Sequence, residues 1–434
     1  MKVIFDCRYT RLVRHDGISR YTAGLVEAFS RLHPVTMLIC DERQLSMLPA
    51  LPWIMSRPPT SLLEPFIALL SLNKHHPDVV FSPMQMIGSL GRRFRLILTL
   101  HDMVFYRTRT PPREFSPAIR LGWWVFHLCY LPQRLMLNRA DAVVTGSYNC
   151  EREMVAAHLT RKPLTVIRPG VDQSPVRARA YPGGKSLVYM GTFMPNKNVE
   201  TLAAAMHLLP GYTLRLLSRI SDQARAHIAA LAPVDAITFD DGVSDEQYRE
   251  ALAGATAMVT ACRDEGFGIP LIEGAIAATP LILSDIELYH EVGGDGAIYF
   301  DQESPRAFAD AVLAMDTPEV WTRLSDRARA QAETFSWAES AARLFELVCR
   351  IAPGAPVAPV GSVGSVGSEI VSPATQPTQP TQLAQPTQPT QLAQPTQLAQ
   401  PTQLAQPTQL AQPTQLAQPT QLAQPAQEAQ LTPL

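Results

Sequence analysis

The chain has 434 residues, enough for two or three domains, and 46% of them are hydrophobic while only 18% are charged. Its formal net charge is −2, and because Glu369 and Glu428 are the only charged residues after Arg350, residues 1–352 carry 37 basic and 37 acidic side chains. This balance disfavours a globally basic nucleic-acid binder and an acidic solvating chain.

The cysteines and the apolar runs indicate the cellular compartment of the protein. The six cysteines are widely spaced and form no Cys-x-x-Cys pair, which is typical of reduced structural thiols in a cytosolic protein. Lys2 is followed by only three apolar residues before Asp6, too few for a secretory signal. The apolar stretch 121–131 has eleven residues, whereas a spanning helix needs about 20. We therefore expect a cytoplasmic protein that does not cross a membrane.

The first part of the chain alternates short apolar runs with helical patterns. Residues 2–6 predict a buried strand, and an amphipathic helix pattern begins near Asp16. Strands that are apolar on both faces and separated by helices predict a parallel sheet covered on both sides. The later strands of this part are predicted at Val35–Ile39, Val79–Phe81, Leu96–Leu100, Ala142–Val144 and Leu164–Ile167.

The same pattern restarts after Asp172, so we expect two doubly wound α/β units in series. Ligands of such sheets bind beyond the carboxyl ends of the strands, which places the expected site in the cleft between the units. The second set of strands is predicted at Leu187–Met190, Leu214–Leu217, Ala236–Phe239, Ala257–Val259 and Leu281–Leu283. Helices are predicted at 198–208, 221–231, 245–253, 271–278 and 305–315, and at 337–351, where the last one would pack back across the first unit.

The composition changes after Ala352. Fifteen of the 38 prolines lie in residues 353–434, and from Gln376 a Gln-Pro-Thr-Gln-Leu-Ala hexad recurs to about Ala423. A proline in every hexad opposes helix, and one Leu and one Ala per hexad bury too little apolar surface to offset the ordering entropy. We expect a disordered, polyproline-II-rich tail. The alternative, a solenoid, would need β-branched strand residues where proline stands.

The segment 263–275, Arg-Asp-Glu-Gly-Phe-Gly-Ile-Pro-Leu-Ile-Glu-Gly-Ala, is the most informative. Gly266 and Gly268 permit close approach of the backbone to a ligand, and Pro270 suits the start of a helix. The free amides at that helix N-terminus suit a diphosphate. Glu265 and Glu273 could approach the same ligand from different sides, and the hydroxyl groups of a sugar or ribose are natural partners for their carboxylates. The alternative is a plain strand–turn–helix unit with a dipole-stabilising glutamate.

Glu265 and Glu273 stand in a Glu-x7-Glu relation that resembles the signature of retaining glycosyltransferases of family 4, which have the GT-B fold of two Rossmann-like domains facing a cleft. Further segments resemble the family in the correct order over about 1–350. They are Gly17–Tyr21, Leu98–Asp102, Asp141–Ser147, Val166–Asp172, Val188–Asn198 and Phe335–Trp337. The resemblance to bacterial mannosyltransferase-like members implies an acceptor-side domain at 1–170, closed by helix 337–351, a nucleotide-sugar domain at 171–336, and the separate tail at 353–434.

The resemblance also implies residue roles. His101, Glu265 and Lys197 would be catalytic, with Lys197 neutralising the donor diphosphate, Glu265 holding the transferred sugar and His101 near the reacting carbon. Glu273 would take the ribose hydroxyls, and Gly17 would let the first loop close on the phosphates. The donor site would comprise Gly17, Thr192, Lys197, Gly266, Phe267, Gly268, Ile269, Pro270, Leu271 and Glu273.

Some positions depart from the family pattern. Thr192 and Asn196 occupy the two places where a second basic residue is common, so diphosphate binding would rest on Arg219 or Arg263, or be weaker. Ser218 replaces the usual glycine after the second strand of the C-terminal domain. No Asp-x-Asp motif stands at a suitable strand end, so we expect a reaction without metal or cofactor.

The aromatic segment 122–130, flanked by Arg113, Arg120 and Arg134, is the candidate for an acceptor- or membrane-facing surface at the inner face of the cell membrane. The alternative is an ordinary core helix.

The function expected from the resemblance is transfer of a hexose, in the first place mannose from a GDP-sugar, to a glycan or lipid-linked acceptor in cell-envelope polysaccharide or glycolipid synthesis. Two alternatives remain open: a UDP-glucose-type glycan synthase, and an inactive transferase-like scaffold whose repeat tail mediates interactions. No nucleic-acid partner is expected.

Overall fold

The computed structural model describes residues 1–61, 63–109, 116–172 and 179–352, all within one compact unit, Met1–Gly361. The predicted repeat tail at 353–434 and Arg113 lie outside the described residues.

Seven parallel strands form the first sheet, in the order β3-β2-β1-β4-β5-β6-β7. Residues of β1, β4 and β6 are buried along their whole length, as expected for strands covered by helices on both faces. We call this part of the chain the N half. Its strands are β1 Val3–Asp6, β2 Val35–Ile39, β3 Trp53–Met55, β4 Val79–Ser82, β5 Arg95–Thr99, β6 Ala142–Thr145 and β7 Leu164–Val166.

Six parallel strands form the second sheet, in the order β10-β9-β8-β11-β12-β13. We call this part the C half. Its strands are β8 Ser186–Tyr189, β9 Thr213–Leu216, β10 Ile237–Phe239, β11 Ala257–Thr260, β12 Leu281–Ser284 and β13 Ala297–Phe300. Two doubly wound parallel sheets confirm the predicted fold class.

The helices lie on both faces of the two sheets. Side-chain oxygens cap several of them at the N-terminus: Asp16 accepts from the Ser19 amide at 2.9 Å and Ser244 from the Gln247 amide at 3.1 Å. The helices are α1 Gly17–Ser30, α2 Val104–Thr108, α3 Pro117–Phe126, α4 Leu131–Leu137, α5 Tyr148–Ala156, α6 Val199–Ala205, α7 Asp222–Ala229, α8 Asp245–Gly254, α9 Ile269–Ile276, α10 Glu287–Gly293, α11 Pro305–Met315, α12 Pro318–Ala332 and α13 Trp337–Ile351. Short 3-10 turns lie at Glu42–Met47, Glu64–Phe66, Asn73–His75, Pro195–Lys197, Met206–Leu208 and Gly294–Gly296, and a π turn at Ala68–Leu72.

Helix α13 follows the C half in sequence but packs against α1 of the N half. The indole of Trp337 lies so close to Gly24 and Gly170 that a Cβ on either glycine would approach it or its backbone within 2.4 Å. Farther along, the rings of Phe345 and Phe29 are 5.9 Å apart in an edge-to-face arrangement. One apolar cluster therefore includes residues of α1, α13 and both sheets.

We expect Leu344→Ala to destabilise the protein by about 2–5 kcal/mol, because Leu344 is fully buried on α13 and its truncation leaves a cavity in the shared cluster. Leu313→Ala is the matched control, since Leu313 on α11 is 50% exposed and its truncation should change stability by less than about 0.5 kcal/mol. Denaturant unfolding of both variants measures the difference. Equal losses would contradict the packing described for α13.

Candidate active site

A cavity of about 370 Å³ lies at the carboxyl ends of the strands, between the two halves. This is the position predicted for ligands of doubly wound sheets. Both halves line it, and every predicted site residue except Glu273 contributes to its wall. Those residues are Gly17, His101, Thr192, Lys197, Glu265, Gly266, Phe267, Gly268, Ile269, Pro270 and Leu271.

The turn between β11 and α9 brings backbone close to this cavity. Gly268 precedes α9 with φ +90°, a conformation that side chains disfavour, and Pro270 occupies the first turn of the helix. A Cβ on Gly266 would lie 3.1 Å from Oδ2 of Asp102 in the N half. The two glycines thus have different roles: Gly268 permits the turn, and Gly266 permits the two halves to approach each other closely.

Lys197 and Glu265, both predicted catalytic residues, form an ion pair in the cavity. The second carboxylate oxygen of Glu265 accepts from the Gly266 amide at 3.0 Å. Burial lowers the pKa of Lys197, but Glu265, Cys262 and Asp102 together outweigh burial, with Glu265 contributing most, and the net pKa is raised. Lys197 therefore stays cationic and is, among the described residues that line this cavity, its single lysine or arginine.

His101 is fixed by its surroundings. Its Nε2 lies 2.7 Å from the carbonyl oxygen of Pro83, so Nε2–H donates and Nδ1 keeps its lone pair. Burial lowers the pKa of His101, and its ring meets Tyr21 edge-on with centroids 5.1 Å apart. The site therefore contains a neutral, oriented imidazole. For Gly17, a Cβ would meet no described atom within 4 Å, and its role in loop closure stays a prediction.

Asp102 is a site residue that sequence reasoning missed. It lines the cavity, and its Oδ1 accepts from the Val104 amide at 3.0 Å at the start of α2. Burial raises the pKa of Asp102 to about 6, with Glu265 and Asp264 contributing repulsion. The available signal was its place directly after His101 at the end of a buried strand.

Glu273 faces a second cavity, of about 1030 Å³, which also lies between the halves. Nη1 of Arg20, on α1 of the N half, is 2.8 Å from Oε1 of Glu273, on α9 of the C half. Sequence reasoning did not single out Arg20, although it lies in the glycine-loop segment that carries the resemblance. The two carboxylates of the Glu-x7-Glu pair therefore face neighbouring cavities.

Neither arginine suggested as a second diphosphate ligand lines the smaller cavity. Arg263 pairs with Glu303 on the surface and donates from Nη1 to the carbonyl of Pro195 at 2.9 Å, so it braces the loop that carries Lys197. The side chain of Arg219 lies beside Gly242, where an added Cβ would be 2.8 Å from Cγ of Arg219.

The positions that depart from the family pattern have structural partners. Asn196 donates from its side chain to the Asp264 carbonyl at 2.9 Å, and thus ties two loops of the site together. The Ser218 hydroxyl accepts from the Gly191 amide at 3.1 Å. Thr192 lines the cavity, and its carbonyl accepts from the Tyr189 hydroxyl at 2.6 Å.

Residues 122–126 of the aromatic segment lie in α3, none of whose residues is buried, so the core-helix alternative is wrong. Seven large apolar side chains of α3, α4 and the residues between them are exposed by 43–63%. We call them the apolar surface: Ile119, Leu121, Trp124, Val125, Leu128, Leu131 and Leu135. Within the described part of the chain, no helix is both long and apolar enough to span a bilayer.

Comparison with known proteins gives two adjoining family matches. A model described as Glycosyltransferase Family 4 matches residues 15–174, and one described as Glycosyl transferases group 1 matches residues 172–331. Among solved structures, sucrose-phosphate synthase from Thermosynechococcus elongatus superposes with a TM-score of 0.62 at 17% identity, over 80% of this chain and 98% of that one. At this identity the likeness concerns the fold, which is the GT-B arrangement.

Curated relatives include two named mannosyltransferases. The MMP alpha-(1->4)-mannosyltransferase of Mycolicibacterium hassiacum is 32% identical over 287 residues, which are 62% of this chain and 68% of that protein. The O-antigen chain mannosyltransferase RfbU of Salmonella typhimurium is 27% identical over 199 residues, 44% of this chain and 56% of that protein. The chain spans between 22% and 56% of the length of the first curated relatives that it matches.

The raised pKa of Asp102 predicts a pH-dependent effect on stability. An unfolded aspartate titrates near about 3.9, so between about pH 4 and 6 the folded protein retains a proton that the unfolded chain releases, and ionisation of Asp102 lowers stability as pH rises. We expect Asp102→Asn to gain stability relative to the parent between pH 4.5 and pH 7.5, measured by thermal unfolding. The exposed Asp326→Asn is the control, and an equal pH response in both variants would contradict the assignment.

Proposed function

Since this chain belongs to glycosyltransferase family 4, we propose that it transfers a hexose, in the first place mannose from a GDP-sugar, to a glycan or lipid-linked acceptor. Synthesis of a cell-envelope polysaccharide or glycolipid is the setting that the similarity to an O-antigen chain mannosyltransferase supports. The transfer would retain the anomeric configuration, as the family resemblance implies.

The observation that carries the proposal is the convergence of Lys197, Glu265 and His101 in one cavity. The diphosphate would bind Lys197 and the backbone amide of Ile269 at the start of α9, since Pro270 has no N–H and the Leu271 amide already donates to the Gly268 carbonyl at 2.9 Å. The sugar would lie between Glu265 and His101, and the nucleoside would extend towards Glu273 in the larger cavity.

The same groups account for the chemistry. As the donor bond breaks, negative charge grows on the leaving diphosphate, and Lys197 would stabilise that charge in a partly buried site where electrostatic interactions are strong. The leaving phosphate would accept the proton of the acceptor hydroxyl, which attacks from the same face. Because a protein cation meets the diphosphate, we propose that the reaction needs no metal or other cofactor.

A thermal-shift panel of GDP-mannose, UDP-glucose and an ADP-sugar, run in EDTA, tests this function. We expect GDP-mannose, the proposed donor, to bind most tightly and therefore to give the largest rise in melting temperature. A ligand at 100 times its Kd stabilises the fold by about 2.7 kcal/mol. Lys197→Ala and Glu273→Ala should abolish the shift, whereas Lys74→Ala and Glu346→Ala, two exposed control sites, should keep it.

The alternatives give other outcomes in the same panel. A largest shift with UDP-glucose would replace the proposed donor and support a UDP-glucose-type glycan synthase. No shift with any sugar nucleotide would contradict a transferase and support the scaffold whose repeat tail mediates interactions. A shift that requires added metal would contradict the metal-free reaction.

We further propose that the apolar surface rests on the inner face of the cell membrane, with the protein on the cytoplasmic side. Residues 116–140 contain Arg120, Arg134 and Arg139 but no Asp or Glu, so nothing acidic in this stretch repels anionic headgroups. Exposed Trp and aliphatic side chains beside arginines suit the headgroup region of a bilayer. A lipid-linked acceptor would then reach the cleft from the surface to which it is anchored.

We expect the full chain to cosediment with vesicles that contain phosphatidylglycerol, and less with vesicles of phosphatidylcholine alone. Leu121→Ser combined with Trp124→Ser should reduce binding by about tenfold or more, because it removes two apolar anchors. Leu313→Ser, an equally polar change at an exposed position of the C half, is the control. Equal sedimentation of the control and the double variant would contradict this membrane contact.

A further inference from the structure

The cation that meets Glu273 comes from the opposite half of the molecule. Arg20 lies on α1 and Glu273 on α9, and their Nη1 and Oε1 atoms are 2.8 Å apart. The Glu273 side chain is 14% exposed and that of Arg20 is 31% exposed, so the pair is partly withdrawn from solvent. A charge-assisted contact of this length in such a place is stronger than an exposed surface pair.

Several groups set the charge of Glu273. Burial raises the pKa of Glu273 and is the largest influence. Arg20 from α1 and the Tyr248 hydroxyl from α8 oppose burial, whereas Asp245 at the start of α8 and Asp172 after the N half reinforce it. The net pKa of Glu273 is raised even with the guanidinium in place, and Arg20 is the largest of the influences that favour the ionised carboxylate.

The proposed ligand of Glu273 makes this charge matter. The two hydroxyl groups of a ribose donate hydrogen bonds, and an ionised carboxylate can accept both, whereas a protonated carboxyl loses acceptor capacity. Arg20 contacts Oε1 at 2.8 Å and so restricts where that oxygen can lie. A nucleoside would therefore meet an acceptor that is already oriented.

We propose that Arg20 is a positioning residue for nucleotide binding, which holds the Glu273 carboxylate ionised and oriented from across the cleft. This inference rests on the proposed function, in which Glu273 receives the ribose. It adds a role for a residue of the N half beside the carboxylate of the C half that would receive the ribose. Nucleotide affinity then depends on both halves facing each other.

The test measures Kd values of GDP and UDP for the full chain by titration calorimetry from pH 5.5 to pH 8.5. For the nucleotide that the parent binds, we expect Arg20→Ala to weaken binding by about tenfold at pH 7. The fall in affinity on acidification should begin at a higher pH in this variant, since Glu273 would protonate more readily without the guanidinium. Arg20→Lys should restore part of the affinity and of the pH profile, because it keeps a cation without the planar fork.

Two further variants separate positioning from a general effect on the fold. Arg152→Ala removes another ion pair between the halves, 2.6 Å from Arg152 Nη2 to Glu287 Oε1, in an exposed place outside both cavities, and should leave Kd unchanged. In a Glu273→Gln background, Arg20→Ala should change Kd by less than about twofold, because the coupled partner is already absent.

The outcomes distinguish this inference from the proposed function. If the parent binds neither nucleotide at any pH, the proposed function fails and the inference fails with it. If the parent binds but Arg20→Ala has the parent's Kd and pH profile, the inference alone is overturned. An equal loss in Arg152→Ala, or a full loss from Arg20→Ala in the Glu273→Gln background, would likewise overturn it.

Discussion

The orientation of the two halves depends on the packing of Trp337 against two glycines of the N half. There is no room for a Cβ beside the tryptophan at Gly24 on α1 or at Gly170 after β7. The start of α13 therefore packs directly against the backbone of these two glycines. Through this contact the last helix of the described chain, α13, packs against the first, α1. The cleft geometry follows from it, because Asp102 can approach Gly266, and Arg20 can reach Glu273, only when the halves face each other closely.

Charged side chains of the two halves form individual ion pairs with each other. Residues 1–352 have no formal net charge, yet several cations of the N half pair with anions of the C half, such as Arg107 with Asp264 and Arg152 with Glu287. Glu291 of the C half accepts from the Tyr148 and Asn149 amides at the N-terminus of α5, at 3.0 and 2.9 Å. Attraction for an anionic ligand must therefore come from individual groups in the cleft, because the body supplies no overall positive field.

Much of the fold could be predicted because buried parallel strands are continuous apolar runs. The predicted Val35–Ile39 has the observed bounds, and most other predicted strands differ by a residue or two. Strand β3 was missed because Trp53–Met55 is a short, partly exposed edge, and β13 because Ala297–Phe300 has only one buried residue. Helix α12 was missed because its pattern is mostly polar, with charged residues between the few apolar contacts.

The site was predictable where it follows a local motif and not where it depends on contacts between the halves. Spacing and resemblance pointed to Glu265 and Lys197, which line the smaller cavity, and to Glu273, which faces the larger one, because their backbone positions follow strand ends and a helix start. The pairing of Arg20 with Glu273 joins residues about 250 positions apart, so no local pattern reports it. The exposure of α3 was equally hidden, since an apolar helix reads the same in a core and on a surface.

The pairing of Lys197 with Glu265 has a consequence for turnover. Any anion that binds the ammonium group must share it with a carboxylate that is covalently part of the site and therefore always present at high effective concentration. In the proposed function, an internal competitor of this kind would limit how tightly Lys197 holds the diphosphate. It would weaken retention of the spent nucleotide as much as capture of a fresh one, and so would favour release after each cycle over storage of the product.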